Sequence, residues 1–253
     1  MILKKINLKR SKSSLSNSYT QSLNERSPDY IYLHEDRYKK PKEAHLLLIN
    51  LLKKEKLSSK TNLLDVGCAA GELIYNIKKH FPQINITGID KHQPLLDKAK
   101  RNTSKDIIYK KKNIYKKNIK IGKYDIIIAS GMMGIFDNPK IIFNNLLKNL
   151  NSKGKMYIFT SFNPYPFNVY IKYEDYRKKK KILHSGYNFF SLGFVKKFFK
   201  KKNMKVKIFP FEIKRKLKKR KNLIRAWTMD IGNSKIMTNG LCIIQNQYWL
   251  KIS

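Results

Sequence analysis

The sequence predicts a doubly wound α/β fold, a mostly parallel seven-stranded sheet with helices on both faces and lid insertions late in the chain. Three observations point there. Short apolar runs rich in Ile, Leu and Val alternate with stretches of helical periodicity between residues 41 and 162. The runs are apolar at consecutive positions, as in Tyr124-Asp-Ile-Ile-Ile-Ala129, which marks strands buried on both faces. The stretches between them are long enough for the crossover helices that parallel neighbours require.

Taken in order, Pro41–Lys54 carries Ala44, Leu47, Leu48, Leu51 and Leu52 at helical spacing. Asn62–Val66 is the first strand and Glu72–Lys79 the next helix; Ile84–Ile89 is the second strand and Pro94–Arg101 its helix. Ile107–Tyr109 reads as a short third strand, Tyr124–Ala129 as the fourth, Asn138–Leu150 as a helix and Lys155–Ser161 as the fifth strand. After residue 162 the pattern loosens. Asn163–Gly186 is an aromatic, basic, irregular excursion, Ser191–Asn203 a basic helix, and Val206–Ile213 and Leu241–Leu250 the last two strands. Between these two lies Lys214–Gly240, opening with Lys-Arg-Lys-Leu-Lys-Lys-Arg-Lys, and connections of that length are functional or disordered. Residues 1–28, rich in Ser, Asn and Lys, read as a flexible basic arm ahead of a single domain over 29–253.

Composition narrows the class. At 253 residues with 42% hydrophobic residues the chain can bury a sizeable core. Its two cysteines, Cys68 and Cys242, sit in apolar runs and read as buried reduced thiols, which suits a cytoplasmic protein. No run of about 18 apolar residues occurs, and the N-terminus lacks the apolar stretch and cleavage site of a signal peptide. The net charge of +38 invites a nucleic-acid reading, yet it comes from 47 Lys against 8 Arg, dispersed along the chain among abundant Ile and Asn. That triad is what AT-rich codons encode, so an AT-rich genome is the preferred explanation and a polyanion partner the less favoured one.

The chemistry-bearing residues cluster at strand ends. Asn62-Leu-Leu-Asp65-Val-Gly67-Cys68-Ala69-Ala-Gly71-Glu72 is a strand, a small-residue turn and a helix start, the form a backbone takes to let a ligand lie against it. A dinucleotide fingerprint would need a third glycine where Glu72 stands, so the fit is to Gly67-x-Ala69-x-Gly71. Asp90, followed by Lys91, ends the second strand nineteen residues after Gly71, where an acid accepts ribose hydroxyls. Asn113 and Ile114 follow the third strand, where an amide and an apolar side chain suit an adenine ring. Ser130-Gly131 closes the fourth strand at the ligand-binding edge.

Over about residues 60–250 the sequence resembles the class I, Rossmann-like S-adenosylmethionine-dependent methyltransferase superfamily. Asp65, Gly67 and Gly71 match its first motif, Asp90 its ribose-binding acid and Asn113 its position near adenine, while Ala69 stands where the family often has Gly. The resemblance implies S-adenosyl-L-methionine as cofactor, with 62–162 as the cofactor-binding half and 163–253 as the acceptor-side half, its lid segments at 163–188 and 214–240. A fainter similarity, in Arg225-Ala-Trp-Thr-Met, Thr238-Asn-Gly-Leu and Gly186-Tyr-Asn-Phe-Phe, is to methyltransferases of surface-polysaccharide or small-metabolite pathways.

Methyl transfer from a sulfonium is mostly positioning, with a base where the acceptor is a hydroxyl. Residues 129–136 contain no Cys, which excludes pyrimidine C5 chemistry, and Asn163-Pro-Tyr-Pro reads as a turn and not as an adenine-N6 motif. The five His lack metal-ligand spacing, so no metal is expected. His184 is the candidate general base, and Tyr170, Tyr173 and Trp227 the candidate acceptor-positioning residues. A small-molecule or sugar-precursor acceptor is the favoured expectation. The alternatives are an RNA methyltransferase or RNA-binding module using 214–221, Arg177–Lys181 and the nearby tyrosines, and a non-catalytic cofactor-binding scaffold.

Overall fold

The computed structural model describes residues 28–177 and 183–253; the arm expected at 1–28, its last residue apart, and most of the basic cluster Arg177–Lys181 lie outside them. Helix α1 spans Glu43–Leu52, followed by β1 (Asn62–Val66), α2 (Glu72–His80), β2 (Asn85–Asp90), α3 (Gln93–Asn102) and β3 (Ile108–Lys111). Then come β4 (Tyr124–Ser130), α4 (Pro139–Asn149) and the long β5 (Leu150–Asn163). The sheet runs β3-β2-β1-β4-β5 with every pair parallel, so strand order reverses between β1 and β4. Beyond β5 the order continues through β12 (Gln247–Ile252) to β9 (Val206–Phe211), and β12 is antiparallel to both neighbours. This is the expected seven-strand path, with one addition: the two-residue β8 (Phe190–Ser191) pairs with the end of β5 and makes the sheet eight-stranded.

Two cores explain the consecutive apolar positions. Leu63, Ile126, Ile128, Tyr157 and Trp249 point to the face covered by α1, α2 and α3. Leu64, Ile127, Ala129, Met156 and Ile158 point to the other, covered by α4 and α5 (Leu192–Lys200). Strand alternation therefore feeds both layers at once. The Trp249 indole N–H donates to Ala44 O at 2.8 Å, tying α1 to the antiparallel edge. No helix among the described residues is long and apolar enough to cross a membrane.

The structure departs from expectation late in the chain. The excursion after β5 holds a hairpin, β6 (Lys172–Glu174) with β7 (Leu183–Ser185), and Lys214–Gly240 holds another, β10 (Trp227–Ile231) with β11 (Ser234–Thr238). The last strand starts at Gln247 and not at Leu241, because the chain from 239 to 245 is spent on turns. Gly240 N donates to Leu223 O, Cys242 N to Asn239 O and Gln245 N to Met237 O. Cys242 is consequently exposed, with φ +56°, and only Cys68 is the buried thiol expected of both. Asn163 behaves as the turn former expected, its Oδ1 accepting from Tyr165 N at 3.0 Å.

Two buried asparagines of α4 hold the long β3–β4 connection in place. Asn145 Nδ2 donates to Ile114 O (2.6 Å) and Lys116 O (2.8 Å). Asn149 Oδ1 accepts from Ile121 N (2.7 Å) and its Nδ2 donates to Ile119 O (3.0 Å). Each such bond contributes about 1 kcal/mol, and a buried partner left unpaired costs about 1–3 kcal/mol. Asn149→Ala is therefore expected to lower the unfolding free energy by about 2–4 kcal/mol, measured by urea denaturation, whereas Lys148→Ala, in the same last turn of α4, should cost far less.

Candidate cofactor and acceptor cleft

The turn after β1 is built from left-handed backbone. Gly67 and Gly71 have φ of +70° and +77°, and Ala69 between them has φ +47°. For Ala that conformation costs about 1–2 kcal/mol, so something must hold it. Asp90 does so: its Oδ2 accepts from Ala69 N at 3.0 Å, and its Oδ1 accepts from His92 N at 2.9 Å. One carboxylate thus joins the end of β2, the glycine turn and the entry to α3. Burial raises the Asp90 pKa, and these two N–H bonds oppose the rise.

A cleft opens at this carboxyl edge of the sheet. Its narrow arm runs between Asp90 and His92 on one side and Ile114 and Met132 on the other, with Leu95 and Ile89 giving it apolar walls. Its broad arm, about 800 Å³, extends over the ends of β4 and β5 past Ser130, Thr160 and Ser161. Gly67, Ala69, Lys91, Ser130 and Gly131 line both arms, so the two are continuous.

Most of the sequence candidates come together here. Asp65, Gly67, Cys68, Ala69, Asp90, Lys91, Ile114 and Ser130 all line the cleft. Gly71 and Asn113 act one step behind it. A Cβ on Gly71 would fall 2.7 Å from the Tyr109 hydroxyl and 2.9 Å from Ala99 Cβ, so the glycine lets α2 start tight against α3 and β3. Asn113 Oδ1 accepts from Tyr115 N at 2.9 Å, forming the turn that presents Ile114. Of the acceptor-side candidates, Tyr173 lines the broad arm. His184 is buried behind it, the two rings stacked at 5.3 Å. Tyr170 is 52% exposed and meets Phe190 edge-on, and Trp227 lies under the Lys219 ammonium, 5.2 Å from the ring centroid.

The N-terminal approach contributes residues that the sequence did not single out. Asp29, Tyr32, Glu35, Arg37, Lys42 and His45 all line the broad arm. Lys98 straps this segment to α3, its ammonium donating to the carbonyls of Tyr32 (2.9 Å), Leu33 (3.1 Å) and Glu35 (2.6 Å). Tyr38 adds a 2.6 Å bond from its hydroxyl to Ala70 O. A visible signal was the tyrosine run Tyr30, Tyr32, Tyr38 ahead of the first helix, too aromatic for a solvated leader. From late in the chain come Arg225, 5.4 Å from the Tyr32 ring centroid, and Gln245.

Among the described residues, the buried side-chain atoms without a hydrogen-bond partner are His45 Nδ1, Glu72 Oε1, Arg225 Nε and Nη2, and Gln245 Nε2. All four residues line the broad arm. Buried polar groups are nearly always paired, so this concentration marks a surface built to meet a polar ligand. Burial holds His45 well below the usual imidazole pKa and raises Glu72.

Asp65 is the most perturbed acid of the cleft. Burial, reinforced by the charge of Asp90, lifts its pKa to about 8. Unfolded, it ionises near pH 4, so between these values the fold keeps a proton that the unfolded chain has lost. Stability from this group is whole below about pH 4, falls as pH rises and is gone above about 8. In urea unfolding, Asp65→Asn should gain on the wild type from pH 5 to 8 by up to about 1.4 kcal/mol per pH unit. Parallel stability profiles would show that the Asp65 carboxyl is solvated.

Residues 57–224 match a family model described as a methyltransferase domain. A malonyl-[acyl-carrier protein] O-methyltransferase of Bacillus anthracis is 25% identical over 155 residues, 59% of this chain and 57% of that protein. A ribosomal RNA small subunit methyltransferase C of Escherichia coli O9:H4 (strain HS) is 27% identical over 117 residues, 43% of this chain and 34% of that protein. The matches thus span from a third to somewhat over half the length of these curated relatives. Among solved structures, the DhpI-SAM-HEP complex superposes with a TM-score of 0.55 at 7% identity, covering 89% of this chain and 93% of that one. Coclaurine N-methyltransferase bound to N-methylheliamine and SAH gives 0.52 at 11% identity, covering 79% and 64%. At these identities the likeness is one of fold, and the fold is the Rossmann-like methyltransferase sheet. With its match to the family model extending over well more than half its length, the chain belongs to the methyltransferase-domain family.

Proposed function

We propose that this chain is an S-adenosyl-L-methionine-dependent methyltransferase acting on a small-molecule acceptor, of small-metabolite or sugar-precursor type. The observation that carries this reading is the continuity of the two arms: a narrow, apolar-walled slot at Asp90 opens into a larger chamber lined by every residue with an unpartnered buried side-chain atom among those described. Bound there, the cofactor supplies a methyl group already activated on a sulfonium.

The chain's own residues bind and orient. Asp90, its carboxylate held by Ala69 N and His92 N, retains lone pairs for ribose hydroxyls. Ile114, Leu95 and Met132 supply the apolar contacts that a purine ring needs. The left-handed backbone at Gly67 and Gly131 (φ +70° and +72°) lets main chain approach a ligand closely. Tyr173 suits an acceptor-positioning role, with His184 fixing its ring from behind. Proximity and orientation then supply most of the rate.

A second reading, RNA methylation, draws support from the run 214–221, of which Arg215, Lys216, Lys218 and Arg220 line the broad arm. Salt separates the two. Contacts from dispersed lysines alone should fade by roughly 0.2 M salt, whereas structured RNA binding that survives there would favour this second reading.

Asp90→Ala should weaken S-adenosylhomocysteine binding by at least roughly tenfold, since each charge-assisted hydrogen bond lost is worth about 1.5–3 kcal/mol. Calorimetry is the measurement, with circular dichroism to show that the variant folds; unchanged affinity removes Asp90 from the site. Incubation of a cell extract with methyl-labelled cofactor should place label in the small-molecule fraction, and label confined to RNA would overturn the acceptor class.

A further inference from the structure

We infer that Arg225 is the anion receptor of the acceptor chamber, so that the methyl acceptor carries a carboxylate or phosphate group. The inference rests on the methyltransferase reading for the word acceptor, but the receptor itself stands on geometry.

Arg225 enters the broad arm just ahead of β10 with both Nε and Nη2 buried and unpartnered among the described residues. These two atoms form one edge of the guanidinium fork, the edge that meets a carboxylate or phosphate with two parallel bonds. The guanidinium carbon lies 5.4 Å from the Tyr32 ring centroid, a stacking contact that orients the group without neutralising it. The Asp29 charge acts on it from a distance, but no carboxylate of the described residues forms an ion pair with it, and a buried cation without a directly paired counter-charge is costly.

Two of the acids around the chamber are already bound to other groups. Glu35 binds Arg37 through both oxygens and also accepts from Arg220. Glu43 accepts the backbone N–H groups of Lys214 and Arg215. Gln245, which also lines the chamber, adds a further unpartnered donor in its Nε2. Unpartnered donors on Arg225 and Gln245 thus face one chamber, which a ligand anion would complete.

The position assigns the anion to the acceptor. Arg225 lines the broad arm and is absent from the narrow arm that contains Asp90. Its neighbours in the wall include Gly134 and Ile135 beyond β4 and Tyr187 and Asn188 from the excursion after β5. Asn188 fixes that corner by donating to Phe136 O (3.0 Å) and accepting from Ile171 N (2.9 Å). Arg37, which also lines the chamber, is already taken by both oxygens of Glu35.

The test uses the full chain saturated with S-adenosylhomocysteine in roughly 0.2 M NaCl, a salt level that suppresses non-specific contacts. Malonate and inorganic phosphate are titrated separately by calorimetry. One equivalent of one of them should bind, and which one binds names the group. Arg225→Gln should weaken that binding by roughly tenfold or more while S-adenosylhomocysteine affinity changes by less than about twofold. Arg225→Lys, which keeps the charge and loses the fork, should fall between, and guards against a variant that fails to fold. Lys153→Gln, exposed at the opposite end of β5, should change neither affinity. The inference is overturned if neither anion binds the wild type, if Arg225→Gln binds it equally well, or if Arg225→Gln loses the cofactor product instead. A wild type that binds the anion through Arg225 but not S-adenosylhomocysteine would strike the cofactor reading and leave the receptor standing.

Discussion

The cleft depends on a single carboxylate doing two things at once. Asp90 terminates β2, holds Ala69 in a backbone conformation that alanine resists, and caps the entry to α3. It shares the turn with Ile89 O, which accepts from Gly67 N at 2.8 Å and Cys68 N at 3.0 Å, and with the Tyr38 hydroxyl on Ala70 O. The sheet supplies the setting. Parallel strands ending at one edge, with order reversing between β1 and β4, leave a gap there that neither helix layer fills. Asp90 lines that gap with its remaining lone pairs.

Around this centre polar ties add to packing in holding the walls. Lys98 holds the N-terminal approach by three carbonyls, Glu43 reaches across to the backbone of the basic segment, and Leu217 and Thr228 exchange bonds that press that segment onto β10. The two hydrophobic cores lie below, on the faces of the sheet. Rigid sheet and tied walls divide the labour. The core sets where the strands end, and the ties set the shape of the chamber above them. Walls of this kind are drawn from the less stable parts of a fold, where ligand-dependent adjustment costs least.

Sequence periodicity made the sheet legible because buried parallel strands are apolar on consecutive residues, and β1, β4 and β5 are. The glycine turn and Asp90 were legible because few residue types tolerate that backbone and that spacing. What stayed hidden was whatever depends on long-range contact. Leu241-Cys-Ile-Ile has strand composition, but hydrogen bonds to Leu223 and Met237, far from it in sequence or already in a hairpin, commit it to turns. Arg225 looked like one cation among 55, and only the fold shows that its guanidinium edge is buried without a counter-ion. His184 looked available by its chemistry, whereas the fold buries it and stacks its ring on Tyr173, which lines the chamber.

The displaced last strand leaves a practical asymmetry between the two thiols. Cys68 is enclosed beside the glycine turn, where burial pushes its pKa well upward and leaves it inert as a nucleophile. Cys242 stands in solvent three residues before Gln245, on the stretch of chain that forms one wall of the chamber. A maleimide dye would therefore attach at one position without any engineering of the sequence. Its emission would follow the movement of that wall as ligands enter, giving this protein a built-in reporter for finding its acceptor.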